Sequence, residues 1–161
     1  MKFKIQYLVI LLLLVLFPLI SWLYLKNGIS FRKQALNQLS SVTSFNNNIL
    51  DSTTVSRFAG KIALIEIDGA KESLDKINDQ FKESSDFVIL TSKCGYKVQL
   101  GNNEISNLKA EFPDRSYILI DNEGKVRRTY MDNRDNEMKQ LVIHIATLIP
   151  FVEKKKPRGI K

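Results

Sequence analysis

At 161 residues the chain has room for one ordinary domain and an anchor, but not for two full domains. Its 44% hydrophobic and 25% charged residues are the composition of a folded protein, and its single cysteine, Cys94, excludes an internal disulfide and any metal site built on two or more thiolates. The net charge of +7 is a mild excess: with Lys2 and Lys4 set aside, 22 basic residues face 17 acidic ones, and no aromatic-interleaved basic patch points to nucleic acid.

The first predicted element is a membrane span. Ile5 to Leu25 reads IQYLVILLLLVLFPLISWLYL, free of charge and interrupted only by Gln6 and Ser21. A helix over that stretch rises about 32 Å, against about 30 Å of bilayer hydrocarbon. Gln6, Tyr7, Trp22 and Tyr24 stand at its ends, where amphipathic side chains prefer the headgroup level. Pro18 is tolerated in a spanning helix. A cleaved signal peptide is the competing reading, but it calls for a shorter apolar region ending in small residues, and here Leu23-Tyr24-Leu25-Lys26 follows. Basic residues are nearly balanced across the span, with Lys2 and Lys4 before it and Lys26, Arg32 and Lys33 after it. The very short head favours a cytoplasmic N-terminus and a domain on the exported, periplasmic side.

The chain then divides into an anchor (1–26), a connector (27–48), a domain (49–150) and a basic tail (151–161). The connector is polar, rich in Ser and Asn, although Phe31, Ala35, Leu36 and Leu39 have the spacing of a short amphipathic helix near the membrane surface. In the domain, Lys61–Ile67 and Asp86–Ser92 read as short buried strands. Between them Leu74, Ile77 and Phe81 give Lys71–Glu83 a helical apolar stripe. Ile105, Leu108 and Phe112 mark a second helix over 103–112. Ser116–Asp121 and Lys125–Met131 form a hairpin around Asn122-Glu123-Gly124, with Gly124 supplying the positive φ of the turn. A last helix starts at Asp135 or Asn136 and is expected to stop at about Ile149, before Pro150. The tail carries Lys154, Lys155, Lys156, Arg158 and Lys161, read as a solvated terminus. A βαβ unit followed by a helix, a hairpin and a covering helix predicts an α/β, thioredoxin-like domain (βαβ-α-ββα).

In this plan the chain resembles the Sco/SenC family, thioredoxin-fold proteins of cytochrome oxidase assembly that carry copper or exchange disulfides. The likeness lies in the N-terminal span with its polar connector and in Val55-Ser56-Arg57-Phe58-Ala59-Gly60-Lys61, similar to the family's turn into its first core strand. It continues in Tyr117–Val126 and in the closing helix, Glu137–Ile149. The family's paired cysteines, spaced Cys-x-x-x-Cys after the first core strand, are missing: the stretch reads Glu66-Ile67-Asp68-Gly69-Ala70-Lys71. Its third copper ligand, a histidine before the hairpin, is missing from Phe112-Pro113-Asp114-Arg115-Ser116. Carboxylates such as Asp68 and Asp114 are poor substitutes for a soft copper ion. No metal, cofactor or catalytic residue of the family carries over.

Two candidates remain. Cys94, in Thr91-Ser92-Lys93-Cys94-Gly95, has a neighbouring lysine that favours a thiolate but no resolving thiol, and reads as incidental. His144 falls on the inner face of the last helix with Leu141, Ile145 and Leu148, and reads as a packed histidine. The expectation is a bilayer-anchored binding or assembly factor, held through residues 5–25 and working with a membrane protein complex, without catalytic, cofactor-binding or metal residues. The alternative is a thiol-redox protein acting through Cys94 with an external partner.

Overall fold

The computed structural model describes residues 2–39, 43–44, 49–132 and 135–155. It has two compact units, Met1–Leu36 and Asn37–Lys161. The first is most of α1 (Lys2–Gln38), an unbroken helix that includes Pro18. Within α1, 10–38 is long and apolar enough to cross a membrane, a property that anchors and signal sequences share. Phe31, Ala35 and Leu36 belong to this same helix rather than to a separate short one.

The second unit is built on a six-stranded sheet in the order β1-β6-β5-β2-β3-β4. Its strands are β1 (Thr43–Ser44), β2 (Ile62–Glu66), β3 (Phe87–Thr91), β4 (Val98–Gln99), β5 (Tyr117–Ile120) and β6 (Lys125–Tyr130). Parallel pairing joins β2 to β3 and β3 to β4, while β5 runs antiparallel to both β2 and β6. The helices are α2 (Ser52–Phe58), α3 (Lys71–Phe81), α4 (Asn102–Glu111) and α5 (Asp135–Lys155). A parallel βαβ unit whose first strand also pairs with an antiparallel hairpin makes the domain thioredoxin-like, as its pattern of elements predicts.

The central strands β2, β3 and β5 are buried along their whole length and mainly apolar, because both sheet faces are covered there. Ile62 and Leu64 join Leu74, Ile77 and Phe81 of α3 and Leu141, Ile145 and Leu148 of α5 in one cluster. Alternate residues Ala63 and Ile65 join Phe58 of α2 and Leu108 of α4 in the other. Burying a Leu or Ile side chain fully is worth about 1.5–3 kcal/mol, so these two layers carry most of the domain's cohesion.

Several elements differ from expectation. Val55–Phe58 lies in α2, and the chain turns only at Gly60, which has a φ of +76°. The two-residue strands β1 and β4 were hidden in polar stretches. α5 continues through Pro150 to Lys155 rather than stopping at Ile149, although the proline supplies no N–H for a helical hydrogen bond. Tail residues 156–161 lie outside the described residues. The hairpin turn is as expected, with Gly124 at φ +78°. Where β5 meets β6 the register skips Arg127, a bulge that lets its guanidinium reach Asp121 Oδ2 at 2.6 Å.

Candidate functional site

The C-terminal ends of β2 and β3 and the loop into α3 occupy the place where open α/β sheets put their ligand sites. At the end of β2, Glu66 is buried with only 2% of its surface exposed. Its Oε1 accepts from Lys93 Nζ at 2.8 Å and from the Gly69 N–H at 2.7 Å, and its Oε2 accepts from the Thr91 hydroxyl at 2.5 Å. Lys93 Nζ also donates to the Gly69 carbonyl. The Ala70 N–H donates to Asp132 Oδ2, and the Ala70 carbonyl lies 3.5 Å from the Tyr117 hydroxyl.

Side chains therefore engage both backbone polar groups of Gly69 and of Ala70. Glycine at 69 is a packing requirement: a Cβ there would sit 2.2 Å from the Tyr117 oxygen. Tyr117 is fully buried, and that burial, reinforced by the charges of Asp132 and Glu66, holds its hydroxyl well above the usual phenol range. The loop is a closed, tied structure. It offers no thiol, and its free backbone hydrogen-bonding capacity is largely used.

Beside it lies an open cavity of about 900 Å³, walled by Ile67, Asp68, Lys109, Phe112, Asp114 and Asp132 among others. The structure thus brings Asp68 and Asp114 to one cavity. Asp68 is already near Lys109 Nζ at 3.7 Å, and Asp114 is an exposed residue with φ +60°. Among the described residues, no group of three or more His, Cys, Asp or Glu side chains is arranged to hold a metal ion.

No family model and no curated protein matches the chain. Among solved structures, Trgpx in its apo form is similar, at 20% identity over 60% of this chain and 85% of that one, with a TM-score of 0.44. What makes the domain thioredoxin-like is the order and pairing of β2, β3, β5 and β6 described above.

Cys94 is exposed in the turn that follows β3. Lys93, expected to favour its thiolate, instead aims its ammonium at Glu66 and Gly69. His144 is packed as expected, 1% exposed, with both ring nitrogens engaged. The Tyr130 hydroxyl lies 2.7 Å from Nδ1, and Nε2 lies 3.1 Å from Gln38 Oε1. Because a carboxamide oxygen only accepts, Nε2 carries the proton and Nδ1 accepts from Tyr130. Arg128 donates to the same Gln38 oxygen at 3.4 Å, consistent with that orientation. Burial, then the Arg128 charge, lowers the His144 pKa to about 4.

The residues that sequence reasoning missed are Glu66, Thr91 and Lys93. The available signal was an acid at the end of an otherwise apolar run, Ala63-Leu64-Ile65-Glu66-Ile67, which demands a buried partner. Glu104 was missed as well: buried in the first turn of α4, it accepts from the N–H groups of Gly101 at 2.8 Å and Asp51 at 3.0 Å, fastening the starts of α2 and α4 together.

Proposed function

We propose that the chain is a membrane-anchored, non-catalytic thioredoxin-like protein that acts as a binding or assembly factor. The observation that carries this reading is the loop 67–70, thiol-free and tied on both sides by Glu66, Lys93, Asp132 and Tyr117. A loop so fastened has no group to exchange electrons and little freedom to wrap an ion. It presents instead a fixed surface beside the cavity walled by Asp68, Phe112 and Asp114, suited to contact with a partner protein. The apolar helix α1 supplies the tether, with the domain on the exported side. Cytochrome oxidase biogenesis is the setting that the resemblance to the Sco/SenC family implies, and the partner is a membrane protein complex.

Purification in mild detergent tests this reading. Defined partner subunits should accompany the intact chain, and substitution of Asp114 and Phe112 in the cavity wall should release them. Stoichiometric, tight Cu(I) binding by the monomer would overturn it. The exposure of Cys94 favours a second reading, a thiol-redox protein that forms a mixed disulfide with its partner. Cys94→Ser separates the two, since only the redox reading expects function to be lost.

A further inference from the structure

The charge along the chain is segregated. Residues 1–50 hold five basic side chains, Lys2, Lys4, Lys26, Arg32 and Lys33, and no acidic one; every acid lies between Asp51 and Glu153, where 17 acidic residues outnumber 14 basic ones. α1 does not end where its apolar stretch ends. From Lys26 to Lys33 it rises a further 10 Å or so, through and just beyond a headgroup layer about 5–7 Å deep. Trp22, Lys26, Ile29 and Lys33 follow one another at helical spacing along one stripe. Lys26 Nζ sits 5.2 Å from the centroid of the Trp22 ring, and Ile29 remains 56% exposed.

We infer that this stripe binds the headgroups of anionic phospholipids, an inference that rests on the reading of α1 as a membrane anchor. The apolar members fix its depth. Trp22 belongs at the hydrocarbon boundary, and Ile29 keeps the next two turns against the interface rather than in bulk water. The ammonium of Lys26 then lies at phosphate level and that of Lys33 at its outer edge. With no carboxylate on this part of the chain to neutralise them, lipid phosphate is the anion at hand. A basic residue held near an anionic leaflet favours its lipids roughly fivefold, so two give a clear local enrichment.

Trp22 is the chain's one tryptophan and reports the lipid composition around it. Full-length protein is reconstituted in vesicles of equal parts phosphatidylcholine and phosphatidylglycerol, with one or the other lipid brominated on its acyl chains. Brominated phosphatidylglycerol should quench Trp22 at least about twofold more than brominated phosphatidylcholine. The preference should vanish in about 1 M salt, where the Debye length is about 3 Å. In K26Q/K33Q both lipids should quench equally. Equal quenching in the unaltered protein overturns the inference and leaves the anchor standing, as does a preference that survives K26Q/K33Q, which would place the anionic contact elsewhere. Absence of quenching by either lipid overturns the anchor itself.

Discussion

Two buried polar clusters hold this domain together at points where its chain must change course, and they do so with different chemistry. Under the loop between β2 and α3 the cluster is ionic: the carboxylate of Glu66 takes the Lys93 ammonium, the Thr91 hydroxyl and a backbone N–H. Between β6, α5 and Gln38 the cluster is built on a neutral imidazole, with Tyr130 and Gln38 on its two nitrogens and Arg128 donating to the same Gln38 oxygen. The ionic cluster uses charge to pin a loop whose backbone would otherwise face the cavity. The neutral one lines a core face, where Tyr130, Leu141 and Ile145 are fully buried. An ionic cluster is vulnerable to losing one partner, whereas a neutral one is vulnerable to gaining a proton.

The largest effect should come from the ionic side. Lys93→Met leaves Glu66 as a buried carboxylate without its cation, which costs about 3–5 kcal/mol in a closed interior. Lys93 is 28% exposed, so water relieves part of this and about 2–4 kcal/mol is expected. Urea unfolding of the detergent-solubilised chain, followed by tyrosine near-ultraviolet circular dichroism, measures it. The double variant E66Q/K93M should lose less than K93M alone; if it loses as much or more, charge imbalance is not the cause.

Gly69→Ala follows, at about 1–3 kcal/mol, because its methyl must displace the Tyr117 ring or the loop. Tyr117 cannot give way cheaply, being fully buried across β5. The same unfolding measurement applies. A value within 0.5 kcal/mol would mean that the loop shifts freely, and with it the claim that the loop is fastened would fall.

These two positions also show where the sequence is readable. The stripes Leu74, Ile77, Phe81 and Leu141, Ile145, Leu148 announce their helices because burial repeats at the helical period, and all six residues are buried. The strands around Ile62–Glu66 and Phe87–Thr91 are legible as unbroken apolar runs. The Glu66–Lys93 pair is not, since its partners stand 27 residues apart and meet only because β2 and β3 lie side by side in parallel. Nor is α2, whose Ser-Thr-Thr-Val-Ser start has weak helix propensity and is held by packing of Phe58. The cavity between Asp68 and Asp114 needs the sheet's pairing of Glu66 with Tyr117 before its walls come together.

The neutral cluster should break with pH. His144 has a folded pKa of about 4 against an ordinary 6.5. The unfolded chain therefore takes up a proton between these values and the folded one does not. This contribution to stability is intact above about pH 6.5, falls as the pH drops, and levels off below about pH 4, for a total on the order of 3 kcal/mol. Carboxylates titrate in part of the same window, so the measurement is the difference between the unaltered chain and His144→Leu at pH 8, 6, 5 and 4. The unaltered chain should lose more than the variant on acidification; parallel curves would mean that the imidazole accepts its proton in place.

The smallest effect is expected at Cys94, and it sharpens the contrast between a fastened loop and a free one. Cys94 lies one residue beyond Lys93, yet it is exposed, while Lys93 turns inward to Glu66. Cys94→Ser should change stability by less than about 0.5 kcal/mol, as for other surface positions that carry no special contact. A loss above 1 kcal/mol would show the thiol to be part of the ionic cluster's packing. A stable variant that no longer retains its partners would instead transfer function from the fastened loop to the exposed turn. Stability and partner retention measured on the same protein therefore place the working surface on one side of Lys93 or the other.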